Sequence, residues 1–166
     1  LSTARYGVEL LLTSEKQRAE KIATYLNKIN QERRQMDQSV VADSVEIMES
    51  SSHYAEQSIL VLGKQDWHAG VIGIAASRLV DAYHKPAVVV GIDQDIARGS
   101  ARSVGQVNIH YLLKQCERFF LSFGGHKQAA GFSLKPDNFE PFKLELERVV
   151  RSSITSDLLV DQLNID

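Results

Sequence analysis

The sequence predicts an α/β domain, a mixed sheet flanked by helices, preceded by one long connector helix. Three observations carry that expectation. No Gly or Pro interrupts the chain from Ser14 to Ser52, which leaves room for a single continuous helix. Two apolar runs, Ile59 to Gly63 and Pro86 to Gly91, are the right length for buried strands and too short for helices. Between them Val71, Ile72, Ala75, Ala76, Leu79, Val80 and Tyr83 recur at helical spacing. A strand–helix–strand order with buried strands argues that at least part of the sheet is parallel.

The elements follow in order. The chain opens on Leu1 rather than Met, and Tyr6 to Leu12 begins in the middle of an apolar helical pattern, so it reads as a piece of something longer. Thr13-Ser14, with Gln17 three residues after Ser14, forms a capping-box signature for the long helix. Along that helix Ile22, Leu26, Ile29, Met36 and Val40 make a thin apolar stripe, with Arg33 filling one slot. So narrow a stripe suits a strut along or between domains better than a core helix. Ser50-Ser51-Ser52 ends it. A third strand is predicted from Ile96 to Ser103. Asn108 is placed to cap a helix whose Ile109, Leu112, Leu113, Cys116 and Phe120 face inward. Ala130 to Leu134 reads as another strand, and Phe139 to Val150 as the last helix.

At 166 residues the chain is long enough for one ordinary domain, or for one domain plus an appendage. Its 43% hydrophobic content can build a core, and its net charge of −2 gives no global field for a polyanion. Any anion site must therefore be local. A single cysteine, Cys116, excludes an internal disulfide framework and fits a reducing compartment. Its place on an apolar helix face points to packing, not catalysis. No apolar run approaches the ~18 residues of a membrane span, and the N-terminus lacks the charged, apolar and small-residue order of a signal peptide. The expectation is a cytoplasmic protein with no membrane partner.

Three segments carry chemistry. Trp67-His68-Ala69-Gly70 sets an aromatic and a histidine just before a helix, where unpaired N–H groups favour anions. The same residues serve equally if Trp67 fills a core edge and His68 caps a turn, and spacing alone favours that simpler role. In Arg98-Gly-Ser-Ala-Arg-Ser103, strand alternation puts Arg98, Ser100 and Arg102 on one face. A guanidinium beside the hydroxyls of Ser100 and Ser103 matches a terminal phosphate; a solvated edge strand with an incidental arginine accounts for the run as well. Gly124-Gly125-His126 reads as a loop bringing backbone and imidazole to an anion, although Gly-Gly is also a plain turn signal. From Arg98 to Lys127 the bases Arg98, Arg102, Lys114, Arg118 and Lys127 face one acid, Glu117, a local basic bias. His53, His68, His84, His110 and His126 are scattered, without metal-ligand spacing. The expectation is no metal site in this chain.

Taken together and in this order, Trp67 to Leu79, Gly99 to Ser103 and Phe123 to Gly131 resemble the RecJ family of single-strand-specific DNA exonucleases, in the DHH phosphoesterase superfamily. The resemblance covers Tyr6 to Val150. It implies that residues 1–13 end a catalytic DHH domain, 14–52 form the interdomain connector helix, 53–153 form the DHH-associated substrate-binding domain, and 154–166 begin a following domain or tail. It implies 5′→3′ hydrolysis of single-stranded DNA in repair and recombination, with Mn²⁺ or Mg²⁺ held by the missing DHH domain, and an inactive isolated chain. By motif, Ser100 and Arg102 would grip the terminal phosphate with Ser103 supporting. Gly124, Gly125 and the catalytic candidate His126 would meet phosphate near the scissile bond, and Trp67 and His68 would belong to the substrate side. The chain departs from the family in having Ala69 where Pro is usual and Ala101 where Gly is frequent. Two rival readings remain. One is a nucleic-acid-binding module without catalysis. The other is a DHH-type phosphodiesterase for short oligonucleotides or cyclic dinucleotides, which generally lacks the Trp-His-x-Gly-Val-Ile-Gly-Ile run.

Overall fold

A computed structural model describes residues 2–153, which include two compact units divided after Met36. In the first, helix α1 (Ser2–Leu12) precedes the start of α2 (Lys16–Glu49). Arg18 Nε donates to Glu9 Oε1 at 2.7 Å, and the Tyr6 and Tyr25 rings meet edge to face at 5.0 Å. The side-chain cap at the start of α2 comes from Thr13, whose Oγ1 accepts from Glu15 N at 3.3 Å. That replaces the expected pairing of Ser14 with Gln17. The unbroken run from Ser14 does give one helix, 34 residues long.

The second unit begins within α2 and continues through α3 (His53–Glu56), β1 (Leu60–Gln65), α4 (Ile72–Tyr83), β2 (Ala87–Ile92), β3 (Ala97–Arg102), α5 (Ile109–Lys114), β4 (Phe120–His126), β5 (Ala129–Leu134) and α6 (Phe139–Ser153). The five strands lie in the order β1-β2-β3-β5-β4. Only β1 and β2 run parallel, joined by α4 as the crossover; the other pairs are antiparallel. The mixed sheet matches the fold class predicted.

Alternation along the strands divides the apolar side chains between two cores. On one face Val61, Val88, Val90, Ala101, Phe132 and Leu134 pack under α5 and α6 through Leu113, Phe142 and Leu146. On the other, Leu60, Leu62, Ala87 and Val89 pack under α4 and the later part of α2 through Leu79, Ala75, Val40 and Met48. Helix α4 lies against β2 and β3. Among the described residues no helix packs on that face beyond β3, and the candidate site runs from β3 into that open part.

Two expectations needed correction. The helix capped by Asn108 is real, with Asn108 Oδ1 accepting from Tyr111 N at 3.0 Å, but it stops at Lys114 instead of reaching Phe120. The Gly124-Gly125-His126 segment is not a loop but the end of strand β4. Packing explains both differences. Phe120 stacks on Phe132 at 4.6 Å and on Phe123 at 5.5 Å, and meets the Phe142 ring at 5.3 Å. These ring contacts, along β4, across to β5 and onto α6, outweigh the poor strand preference of two glycines. The short helix α3 also had no counterpart in the sequence reading. The tail from 154 to 166 lies outside the described residues.

Candidate functional site

The strand register assembles the site. Residues directly opposite one another in antiparallel strands share a face. One row across β3, β5 and β4 is therefore Arg102, Ala129 and His126; the next is Ser100, Gly131 and Gly124; the third is Arg98, Ser133 and Ser122. All three rows lie on the same face as α4, starting at its edge on β3 and continuing beyond it. At ~4.8 Å per strand, Arg102 and His126 stand about 10 Å apart across the sheet. Strand β3 and the β4–β5 hairpin thus meet on one surface.

Between the rows runs a trough of about 670 Å³, lined by Ser100, Gly124 and Gly131 on its floor and by Ala69 and Ile72 at the α4 side. Its floor is bare main chain. A Cβ at Gly124 would meet nothing within 4 Å, and one at Gly131 would find only Gly99 O at 3.8 Å. Internal packing therefore does not require either glycine. Gly125 differs: with φ of +151° it sits where side chains are strained, and a Cβ there would lie 2.5 Å from Ala129 O and Ala130 Cα. Gly125 builds the β4–β5 hairpin, whereas Gly124 and Gly131 leave space above the sheet. An adjoining hollow of about 710 Å³ shares Arg98 and Ile96 but is lined by Asp66, Asp93 and Asp95, which is the wrong charge for a phosphate.

Arg102 is half-buried, and among the described residues no acid pairs with it. Its Nη1 donates to Ser100 Oγ at 3.0 Å and to Ala101 O at 2.9 Å. Since Ser100 Oγ accepts that bond, its own hydroxyl proton stays available as a donor. Gly73 in the first turn of α4 completes this corner: a Cβ there would lie 3.0 Å from both Arg102 Nη2 and Ser100 Oγ. The guanidinium, a free hydroxyl and the positive end of α4 thus come together, a combination suited to an anion.

The other expected residues are placed differently. Ser103 lies past the end of β3, donates its hydroxyl to Val107 O at 2.6 Å, and so closes a loop away from the trough. Trp67 is only 6% exposed, and its Nε1 donates to Asp43 Oδ2 at 2.9 Å. His68 Nδ1 accepts from Gly70 N at 3.0 Å, which makes it the cap of its turn. Trp67 thus fills a core edge, and His68, itself exposed, bonds within its own turn. His126 is exposed, and its Nδ1 accepts from Gln128 N at 3.3 Å, so by the bonding pattern its proton sits on Nε2 as an outward donor. The basic bias disperses: Arg98 pairs with Asp93, Arg118 turns toward Glu145 on α6, and Lys127 donates to Gln106. Gly73, Gly131 and Asp43 were missed. The glycines stood inside quoted motifs without an assigned role, and no sequence signal ties Asp43 to Trp67.

No three His, Cys, Asp or Glu side chains among the described residues are grouped to hold a metal ion. No described helix is long and apolar enough to cross a membrane.

The DHHA1 domain family matches residues 56–152. The single-stranded-DNA-specific exonuclease RecJ of Bacillus subtilis is 33% identical over 162 residues, covering 96% of this chain and 20% of that protein. The crystal structure of RecJ in complex with Mg²⁺ from Thermus thermophilus superposes with a TM-score of 0.78 at 29% identity, over 89% of this chain and 23% of that one. A crystal structure of exonuclease RecJ bound to manganese gives 0.77 at 27% identity, over 95% of this chain and 40% of its own. The chain thus spans about a fifth of the length of the Bacillus relative.

Proposed function

The chain belongs to the DHHA1 domain family in its RecJ-type form, and from that premise we propose that it is the substrate-gripping part of a cytoplasmic 5′→3′ exonuclease for single-stranded DNA. The observation that carries this reading is the meeting of Arg102, Ser100, Gly124, Gly131 and His126 on one sheet face. A 5′ phosphate enters the corner between Arg102 and the start of α4. The guanidinium and the Ser100 hydroxyl donate to its oxygens, and Gly73 keeps the corner open. The sugar-phosphate chain then lies over the glycine floor toward β4, where His126 Nε2 donates to a phosphate oxygen near the scissile bond. Gly125 holds the hairpin in shape, Trp67 and His68 hold the wall, and Ser103 closes the loop beside it.

This chain contributes placement and charge stabilisation. Fixing the strand end converts an encounter into a positioned reaction, and donors aimed at phosphate oxygens stabilise charge as it develops. The described residues do not fit a metal centre, so Mn²⁺ or Mg²⁺ would be held by a DHH domain outside this chain and packed against it. The relatives are named single-stranded-DNA-specific exonucleases, and their crystal structures hold Mg²⁺ or manganese, which supports metal-dependent chemistry in the longer protein.

The test compares binding of a 5′-phosphorylated single strand and its unphosphorylated twin, at low and moderate salt. About tenfold preference for the phosphorylated strand, with affinity falling as salt rises, is the expected result. Equal affinity for both in a full-length enzyme overturns the assignment of the Arg102 corner. Steady hydrolysis by this chain alone with Mn²⁺ would overturn the division of labour.

A further inference from the structure

We propose that Asp43, on α2, is a positioning residue for the trough: its carboxylate holds the Trp67 indole and so fixes the turn that forms the trough wall. The role rests on the substrate-gripping reading above.

Asp43 lies 24 residues before Trp67, yet its Oδ2 accepts from Trp67 Nε1 at 2.9 Å and from Lys64 Nζ at 3.0 Å. A buried indole could rest on Val40, Val71 or Leu62 of the same core without any charged partner. Here its N–H meets a carboxylate instead, and an N–H left unbonded at that depth would be costly. The same two bonds hold the Asp43 carboxyl below its usual range, the indole contributing most.

From Trp67 the contacts run continuously to the site. The Trp67 carbonyl oxygen sits directly over Gly91 on β2, where a Cβ would collide with it. The turn then closes through Val71 N to His68 O at 3.0 Å and Gly70 N to His68 Nδ1 at 3.0 Å. Ala69 and Ile72, flanking that closure, form the trough wall. One residue later, Gly73 lies against Arg102 and Ser100. A shift of the indole therefore moves the wall and the spacing between α4 and the guanidinium together. A second tie, Arg78 Nη2 to Asp37 Oδ2 at 2.7 Å, fastens the middle of α4 to the same segment of α2. The connector helix thus does more than join domains: residues 37–49 set the wall against which the substrate rests.

Trp67 is the only tryptophan in the chain, so its emission reports this contact alone. The experiment reads that emission in the wild-type chain, Asp43→Ala and Asp43→Asn, and binding of a 5′-phosphorylated single strand in those three and in Trp67→Phe. It adds binding by the Asp43→Ala/Trp67→Phe double variant. Asp43→Ala should shift the emission and weaken binding roughly threefold to tenfold, the range of one lost hydrogen bond. Asp43→Asn keeps an acceptor and should restore most of both. Trp67→Phe, which keeps the packing and removes the N–H, should weaken binding to a similar degree, and the double variant should be no worse than the weaker single. Wild-type binding in Trp67→Phe overturns the role, even if Asp43→Ala fails to fold. Strictly additive losses also overturn it, because Asp43 would then act by another route. If the wild type binds neither the phosphorylated nor the plain strand, in this chain or in a full-length enzyme, the substrate-gripping reading itself fails and this role falls with it.

Discussion

Arg102 reaches back along its own strand to Ser100, Nη1 to Oγ at 3.0 Å, so the guanidinium is set in place before any ligand arrives. A fork fixed in this way loses little freedom on binding. Arg102→Ala should reduce affinity for a 5′-phosphorylated strand by about 10- to 100-fold, the range for charge-assisted bonds, and abolish preference over the plain strand. Arg102→Lys should recover only part. Gly73→Ala, which leaves Arg102 in the chain but crowds it, should fall between. Fluorescence anisotropy with paired oligonucleotides measures all three.

The glycines of the site divide into two kinds with opposite signatures. Gly124→Ala and Gly131→Ala meet no internal obstacle, so their melting temperatures should stay within a few degrees of wild type while strand binding weakens. Gly125→Ala meets Ala129 O and Ala130 Cα at 2.5 Å and a φ of +151°, and should cost about 1–3 kcal/mol of stability. Thermal melts run beside binding curves separate the two cases.

His126 is exposed and bonded only to its own turn. His126→Ala should leave stability unchanged and lower turnover of a full-length enzyme by about 100-fold or more, the usual contribution of a placed proton donor. Wild-type rates would remove it from the reaction.

Cys116 is wholly buried, and burial pushes its thiol up to about 11. Alkylation at pH 8 should be slow in the folded chain and fast in urea. Rapid labelling without denaturant would mean that the cleft between α5 and α6 opens readily.

Acid should find the Asp43 contact. Its carboxyl is held below the ordinary value of 3.8 by Trp67 first and Lys64 second. A group depressed in the folded state contributes stability that is fully present above the unfolded value and lost as pH falls through the folded one. Urea midpoints should therefore drop more steeply in wild type than in Asp43→Asn as pH falls from about 4 toward 2. Parallel curves would show that the charge contributes nothing.

Sequence patterning reached those parts of the molecule governed by local rules. The long helix was visible as absence of Gly and Pro, α4 as periodicity, and Asn108 as a cap. Alternation correctly put Ser100 and Arg102 on one side of a strand. What escaped depended on partners distant in the chain. Strand β4 exists because Phe120 finds Phe132 and Phe142, with Phe123 stacked on it, and two glycines in sequence give the opposite signal. The bond from the Ser103 hydroxyl to Val107 O had no local signal either. Gly73 gained meaning only when α4 packed against Arg102 and Ser100, and Gly131 only when the register set it between Ser100 and Gly124.

The bare floor between Ser100 and Gly124 also limits what the trough can read. Gly124 and Gly131 offer open space, and Ser122 and Ser133 are engaged with each other at 2.6 Å. A nucleotide laid across them would meet the same surface whether its base were purine or pyrimidine. Such a floor has no alphabet: it can measure the width and charge of a strand but cannot spell it.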